Sequence, residues 1–167
     1  RLWFMDDTSP IFLATDASNY GMGAYLYQIR DGKEVPIMFL SKTFEPRMRS
    51  WHTAHKEGYA IFYALKKLEY LLRDRSFTLK TDHANLRFLK ANYSNEDKVQ
   101  RWLACYQGFD MKIDYLEGPK NVIADSLSRL CPKDEQEQER IFALEATQDL
   151  YVPTDKWNII KSVHGPT

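Results

Sequence analysis

Short apolar stretches separated by turn residues fill the first quarter of the chain. An apolar run at residues 11–15 ends at Asp16, residues 20–29 alternate roughly between apolar and polar side chains, and residues 35–40 are again apolar. Asp31 and Gly32 form a turn signal between the second and third stretches. This pattern predicts three consecutive antiparallel strands, with Asp16 at the end of the first.

A helical period replaces this alternation after residue 50. Apolar residues recur at spacings of three, four and seven, and Ser50 precedes them as the predicted N-cap. The stripe consists of Ala54, Ile61, Leu65, Leu68 and Leu72. Glu57 lies four residues before Ile61, so it shares the apolar face near the start of the helix. A carboxylate there faces either the core or a site at its edge.

The remaining elements are shorter. Residues 77–80 predict a fourth strand that closes on Asp82, short helices are expected at 84–90 and 97–107, and a fifth strand at 111–115. A turn at 117–119 leads into a final helix at 121–130, which carries Asp125. Within the helix at 97–107, Trp102 and Cys105 are expected to be core residues. The order of these elements predicts an α/β domain.

The two ends of the chain differ from this central part. Residues 1–9 begin without Met and are expected to connect to an upstream segment of a longer polypeptide. After Leu130 the sequence becomes polar and turn-forming, so residues 131–167 are expected to be a linker or tether. No apolar run approaches the roughly 20 residues needed to cross a bilayer, and no secretory signal is recognisable.

Composition narrows the class of protein. Hydrophobic residues make up 44% of the chain and charged residues 28%, which is typical of a soluble globular domain. The two cysteines, Cys105 and Cys131, give neither a disulfide framework nor zinc-ligand spacing, which favours an intracellular setting. The formal net charge is zero, with 23 basic and 23 acidic residues. A nucleic-acid-binding domain is usually basic, so a nucleic-acid substrate would have to be held largely by another part of a larger protein.

Four acidic residues are candidates for chemistry. Asp16 and Asp82 each end a predicted strand, Glu57 lies on the helix between them, and Asp125 lies near the start of the last helix. Grouped carboxylates repel one another and are stabilised by hard cations such as Mg²⁺ or Mn²⁺. Taken one at a time, an Asp after a strand is more often a turn former or helix cap, a Glu such as Glu57 is usually solvated, and an acid such as Asp125 is favoured at a helix start by the dipole. From the residues alone, both interpretations stay open.

Local motifs provide a more specific indication. They are TDASNYGMGAYLYQ, PIMFLSKTF, HKEGYAIFYALKKLEYLL, FTLKTDHANLRFL and RWLACYQGFDMKIDYLEGPKNVIADSLSRL, in that order. Together they resemble the RNase H domain of gypsy-type LTR retroelement reverse transcriptases, over residues 10–130. The resemblance implies an RNase H-like fold, a five-stranded mixed sheet whose first three strands are antiparallel, with helices packed on it. It also implies an endonuclease that hydrolyses the RNA strand of RNA–DNA hybrids during reverse transcription.

The resemblance assigns roles to the acids. Asp16, Glu57, Asp82 and Asp125 match the family's catalytic carboxylates, which hold two Mg²⁺ ions, with Mn²⁺ as a possible substitute, while water is the nucleophile. Many cellular RNases H have a His about ten residues before the last Asp, but here Tyr115 occupies that position. Tyr115 and His83 are therefore candidates for assisting catalysis. Strand packing for Tyr115 and a helix-start role for His83 are the alternatives.

Substrate contacts are expected near these acids. Ser18, Asn19 and Asn85 are candidates for recognising 2′-hydroxyls, and Arg101 for meeting the phosphate backbone, with turn and cap roles as alternatives for the first three. The segment between Phe88 and Trp102 is too short and polar to supply the extra basic helix that some RNases H carry. The polymerase domain of the same polyprotein is therefore expected to hold the hybrid. No membrane partner is expected.

The end of the chain carries a second resemblance. Residues 156–167, KWNIIKSVHGPT, are similar to the opening of the zinc-binding domain of retroelement integrases, but His164 is the only ligand of that motif present. No zinc site is therefore expected in this fragment, and residues 131–167 are interpreted as a tether toward integrase. The family implies a cytoplasmic virus-like particle as the location.

Three other classes of protein compete with this interpretation. An integrase or transposase core would be basic and would usually end in a Glu rather than Asp125. A degenerate RNase H copy that serves as a spacer would have lost acids that this chain keeps. A plain α/β binding module would need none of the four carboxylates.

Overall fold

A computed structural model describes residues 2–115, 122–129 and 139–142. Within these residues the strands form one sheet in the order β5-β4-β1-β2-β3-β6. The strands are β1 Ile11–Ala17, β2 Gly21–Arg30, β3 Lys33–Thr43, β4 Ser76–Thr81, β5 Asp110–Tyr115 and β6 Glu139–Phe142. The pairs β1–β2, β2–β3 and β3–β6 are antiparallel, whereas β1–β4 and β4–β5 are parallel. The predicted mixed sheet with three antiparallel strands first is confirmed.

The helices also follow the predicted order. They are α1 Thr53–Lys67, α2 Glu69–Leu72, α3 His83–Tyr93, α4 Asp97–Gln107 and α5 Val122–Ser128, and a 3₁₀ turn at Pro46–Met48 precedes α1. Within the described residues, none of these helices is both long and apolar enough to cross a membrane.

The predicted start of the long helix was wrong by two residues. The N-cap is His52, whose Nδ1 accepts a hydrogen bond from the Ala54 amide at 3.1 Å. Ser50 instead donates to the carbonyl of Arg47 within the preceding turn. The predicted single helix also divides at Leu68 into α1 and α2. Cap assignment by residue type failed here because an imidazole nitrogen replaced the usual hydroxyl or carboxylate acceptor.

The short strand β6 extends the sheet beyond the five predicted strands. It lies inside the segment expected to be a tether and pairs with β3 through Phe39 and Lys42. The predicted turn at 117–119 lies outside the described residues, as does the rest of the tether, so both stay predictions.

The two faces of the sheet bury cores of different size. Alternate residues point to opposite faces, so Leu13, Leu26 and Leu40 pack under α1, while Ala14, Tyr25 and Phe39 face α5. The α1 side forms the larger core and includes the predicted helix stripe and Trp102, which is 3% exposed. Cys105 packs at the margin of this core. The α5 side is a smaller cluster in which Tyr25 stacks on Phe39 with ring centroids 5.0 Å apart.

Candidate active site

Asp16 and Asp82 lie at the same edge of the sheet. The parallel register of β1 and β4 aligns Ala14 with Lys80, so two residues further on it brings Asp16 beside Asp82. A hydrogen bond of 3.3 Å between the hydroxyls of Thr15 and Thr81 joins the two strands just before the acids. The two strand ends that carry these acids are therefore neighbours in the sheet.

Glu57 reaches this edge from the first turns of α1. Its side chain is buried, and the Ala17 amide donates to its Oε1 at 3.3 Å. This contact attaches the helix to the end of β1, one residue after Asp16. The second carboxylate oxygen, Oε2, is buried without a hydrogen-bond partner among the described residues. A buried carboxylate oxygen is costly to leave unpaired, so this atom favours either a proton shared with a neighbouring acid or a bound cation.

Asp125 arrives from the opposite face of the sheet. Gly23, which pairs with Asp16 in the β1–β2 ladder, lies directly beneath α5. A Cβ atom at Gly23 would lie 2.2 Å from the Ala124 carbonyl oxygen and 2.6 Å from the Ser128 amide nitrogen. The absence of a side chain at this position lets the helix backbone approach the sheet closely. Asp125 is thereby brought within hydrogen-bonding reach of Asp16.

The proximity of these acids changes how they ionise. Burial, followed by a hydrogen bond to Asp125 and repulsion from it, raises the pKa of Asp16 to about 7. Burial, followed by repulsion from Asp16 and Asp82, also raises the pKa of Glu57 well above its usual range. Carboxylates in such a group must either take up protons or bind a cation. In the part of the chain that the structure describes, however, no three His, Cys, Asp or Glu side chains already form a metal-ligand set.

Two of the acids have an additional partner. Asp82 is the N-cap of α3: its Oδ1 accepts from the Asn85 amide at 3.2 Å and its Oδ2 from the Asn85 side chain at 2.9 Å. The Arg129 Nε lies 3.2 and 3.3 Å from the two carboxylate oxygens of Asp125. Sequence reasoning did not single out Arg129, although its spacing of four residues from Asp125 on one helix was the available signal.

Ser18 plays a structural role in the described part of the chain. Its hydroxyl lies 2.8 Å from the Ser128 carbonyl oxygen and 3.3 Å from that of Gly21, and it accepts the Tyr20 and Gly21 amides. These contacts tie the β1–β2 turn to the end of α5. The turn role that was weighed for Ser18 is therefore present, while substrate binding by Ser18 stays a prediction.

The other predicted site residues are placed as follows. Asn19 is exposed next to Ser18, Arg101 is exposed on α4, and Tyr115 ends β5, where it pairs with Thr81 and is exposed. His83 begins α3 directly after Asp82. Asn85 contacts Asp82, so its described role is to orient an acid rather than to stand free for substrate.

Comparison with known proteins identifies the family. Residues 6–109 match the family model described as the RNase H-like domain found in reverse transcriptase. The chain belongs to this family. The matched region of the RNase H-like domain includes Asp16, Glu57 and Asp82 and stops before Asp125.

Its curated relatives are Pol polyproteins of gypsy-type transposons. The chain is 35% identical over 127 residues to the retrovirus-related Pol polyprotein from transposon opus and 36% identical over 129 residues to that from transposon gypsy, both of Drosophila melanogaster. The matches cover 75% and 77% of the chain but 13% and 12% of those polyproteins. The chain thus corresponds to a small part of much longer proteins.

Solved structures show the same fold. A foamy viral protease–reverse transcriptase in complex with dsDNA superposes with a TM-score of 0.58 at 18% identity, covering 70% of this chain and 25% of that one. RNase H1 from the archaeon Halobacterium salinarum gives a TM-score of 0.51 at 18% identity, covering 71% and 93%. The predicted RNase H-like fold is confirmed by both.

Proposed function

We propose that this domain hydrolyses the RNA strand of RNA–DNA hybrids, as the endonuclease of a retrotransposon reverse transcriptase. The observation that carries the proposal is the meeting of Asp16, Glu57, Asp82 and Asp125 at one edge of the sheet, with the pKa values of Asp16 and Glu57 raised. Family membership supports the reaction class. The four acids come from four different elements, so their meeting is a property of the fold rather than of any one motif.

The donor set fits divalent cations. All four candidate ligands are carboxylates, which suit Mg²⁺ and also Mn²⁺, and the buried Oε2 of Glu57 has no partner among the described residues. We propose that Asp16, Glu57, Asp82 and Asp125 hold two Mg²⁺ ions. Bound at this position, the ions would supply the positive charge that activates water and stabilises the oxygens of the scissile phosphate.

The chain's own residues set up this site in defined ways. Asp16 interacts with both Glu57 and Asp125, so it would help to hold either ion. Asn85 fixes both oxygens of Asp82, so this carboxylate is oriented before any ligand arrives. Arg129 offsets the negative charge of Asp125. Preorganisation of this kind lowers the cost of assembling the site.

Other residues complete the proposal for the reaction. Water is the nucleophile, and His83 and Tyr115 are candidates to assist proton transfer or product release from positions beside Asp82 and at the end of β5. Asn19 and Arg101, both exposed, are proposed to contact the substrate. Ser18 and Asn85 are proposed to do so while keeping their contacts with Ser128 and Asp82.

The lengths of the relatives support a proposal for the larger protein in which the reaction takes place. The matched polyproteins are several times longer than this chain, which supports a polymerase domain of the same polyprotein as the partner that delivers the hybrid. A net charge of zero is consistent with a polymerase domain that binds the hybrid and a separate domain that cleaves it. By family resemblance, we propose a cytoplasmic virus-like particle as the location and a connection toward integrase for residues 131–167, within which Glu139–Phe142 also pair with β3.

A cleavage assay tests the proposed function. The chain is incubated with a labelled RNA–DNA hybrid and Mg²⁺ or Mn²⁺, beside Asp82→Asn and the control Asp31→Asn. Asp31 is an exposed turn residue with φ of 52°, a conformation that Asn also tolerates. Weak cleavage is expected for the wild type and for Asp31→Asn, and a loss of about 1000-fold or more for Asp82→Asn, equivalent to about 4 kcal/mol of transition-state stabilisation.

Two results would contradict the proposal. Cleavage of double-stranded DNA in preference to the hybrid would indicate an integrase-like or transposase-like activity. A folded wild-type chain that cleaves nothing, even at high concentration and low salt, would indicate a non-catalytic RNase H copy.

A further inference from the structure

The strand β6 pairs with β3 at the residues on which α5 rests. One row of ladder partners crosses the sheet from β1 to β6 and consists of Asp16, Gly23, Ser41 and Arg140. The helix α5 contacts two members of this row, because its backbone lies against Gly23 and its Leu127 carbonyl oxygen accepts a hydrogen bond from the Ser41 hydroxyl. The row that begins at a candidate catalytic acid therefore ends at β6.

The strand β3 depends on β6 for half of its backbone pairing in this region. Among the described strands, β3 would form the edge of the sheet without β6. Alternate residues of β3 direct their backbone N–H and C=O groups away from β2, and β6 pairs with this side over Phe39–Lys42. Phe39, Leu40 and Ser41 are at most 2% exposed, so this part of β3 is buried. Unpaired backbone groups at a buried position are costly, so β6 stabilises β3 where β3 supports α5.

The helix α5 in turn depends on β3 for its position. It has seven residues, of which Ala124 and Leu127 pack in the smaller core with Phe39. A helix of this length is not stable alone in water, so its contacts with the sheet hold it in place. Asp125 is carried by this helix and lies within hydrogen-bonding reach of Asp16. A small movement of β3 would therefore change the spacing of the carboxylates.

We infer that β6 is a positioning strand for the active site: by pairing with β3 it holds α5 on the sheet and thereby sets the position of Asp125. The inference rests on the proposed function and adds to it an element that acts through β3 on the fourth carboxylate. The nuclease domain then includes Glu139–Phe142, and the connection toward integrase begins after Phe142. A domain that ended at residue 130, as the sequence predicts, would lose part of the support of its active site.

The test disrupts β6 in the full chain and follows α5 directly. Arg140→Pro combined with Ile141→Pro removes at least one ladder hydrogen bond, because alternate residues of an antiparallel strand donate to the partner. The matched control, Arg140→Val combined with Ile141→Val, changes the same two side chains but keeps both amides and a residue type that strands favour. Amide hydrogen exchange, in EDTA and without nucleic acid, then compares β3, α5 and α1 in the wild type and both variants.

The expected result is a local loosening of α5. In the proline variant, the amides of α5 and those of β3 that face β6 should exchange about tenfold or more faster than in the wild type, while α1 keeps its rate. The valine variant should exchange like the wild type. In hybrid cleavage, the proline variant should lose about tenfold in kcat and need more Mg²⁺ for half-maximal rate, with KM for the hybrid unchanged. A purely structural role would reduce the amount of folded protein without changing the Mg²⁺ requirement.

Three outcomes overturn the inference. Unchanged exchange of β3 in the proline variant would show that β6 does not protect β3. Faster exchange of β3 without any change in α5 would show that α5 is held independently of β6. Equal acceleration of α1 and α5 would show that β6 contributes only to global stability. Because exchange is measured without cleavage, a chain that exchanges as expected and cleaves nothing would refute the proposed function and leave the support of α5 by β6 standing.

Discussion

The two faces of the sheet position the acids of the candidate active site with helices of different length and cores of different size. Glu57 comes from the α1 face, where a helix of 15 residues packs on the larger core with α3 and α4 against it. Asp125 comes from the α5 face, where a helix of seven residues covers a small aromatic cluster. Asp16 lies between them at the end of β1 and interacts with both acids.

This difference predicts on which face of the sheet a substitution would disturb the candidate active site most. Many buried side chains hold α1 and therefore Glu57 in place, so the removal of any one side chain is expected to shift Glu57 only slightly. Asp125 depends on the backbone approach at Gly23 and on the hydroxyls of Ser18 and Ser41, which meet the carbonyl oxygens of Ser128 and Leu127. Small changes on the α5 face are therefore expected to disturb the carboxylates more than equal changes on the α1 face.

Alanine at two glycines provides the largest expected contrast. Gly23→Ala would place a Cβ atom 2.2 Å from the Ala124 carbonyl oxygen, so the backbone of α5 would have to move and Asp125 with it. Gly58→Ala, on the α1 face, would meet only side chains, the tip of Leu89 at 2.6 Å and the ring of Trp102 at 3.2 Å, so a shift of side chains rather than backbone would relieve the overlap. We expect Gly23→Ala to lose about 100-fold or more in hybrid cleavage and about 3 kcal/mol in the free energy of unfolding.

Gly58→Ala serves as the matched control in the same cleavage and urea-unfolding measurements. It should remain within about tenfold of wild-type cleavage, because its overlap is relieved by a side chain and Ala favours a helix over Gly by about 1 kcal/mol. If both variants lose cleavage equally, the two faces do not differ in the way proposed here.

The second test uses the ionisation of Asp16, which interacts with acids from both faces of the sheet. Without divalent cations, folded Asp16 keeps its proton up to a pKa of about 7, whereas an ordinary Asp loses it near 3.8. Between about 3.8 and about 7 the folded state therefore binds a proton that the unfolded state has already released, so stability falls as the pH rises across this interval and levels off above it. Between pH 5 and pH 8 we expect a loss of about 2.5 kcal/mol in EDTA, because the two states differ by one proton over about two pH units and one unit is equivalent to about 1.4 kcal/mol.

Asp16→Asn removes this effect while most other titrating groups stay unchanged. Urea unfolding of the variant should show a smaller decrease over the same pH interval, and the difference between the two proteins reports Asp16 together with its coupling to Glu57 and Asp125. Addition of Mg²⁺ should restore wild-type stability at pH 8 and leave the variant less affected, because a cation replaces the proton. A wild type that gains stability relative to Asp16→Asn as the pH rises would contradict the raised pKa.

Much of the fold could be predicted from the sequence because it is governed by local pattern. The alternation of apolar and polar residues at 20–29 predicted β2. The apolar stripe that includes Ile61 and Leu65 predicted α1 and the helix face on which Glu57 lies. The placement of Asp16 and Asp82 at strand ends was also predicted, but the register that joins them depends on the pairing of β1 with β4, which local pattern does not encode. The cap at His52 and the division at Leu68 were missed, because each depends on contacts that no residue-type preference encodes.

The convergence of Asp125 with the other acids could not be derived from pattern alone. It depends on Gly23, which in the sequence looks like an ordinary strand glycine. Its importance becomes visible only in the structure, where the backbone of α5 lies 2.2 Å from the position that a Cβ atom of this residue would occupy. Family resemblance supplied that assignment instead.

The smallest expected effect separates two roles for Ser18. Ser18→Ala and Ser41→Ala each remove a hydroxyl that meets a carbonyl oxygen at the end of α5, so each should cost about 1 kcal/mol in the free energy of unfolding. If Ser18 acts only by holding α5, the two variants should lose kcat alike, by a few-fold, with KM for the hybrid unchanged. If Ser18 also contacts a 2′-hydroxyl, Ser18→Ala alone should raise KM, because Ser41 lies on β3 and binds no substrate in this proposal. Steady-state cleavage by the two variants therefore decides whether the residue after the first Asp serves only to hold α5 or also to bind the RNA strand.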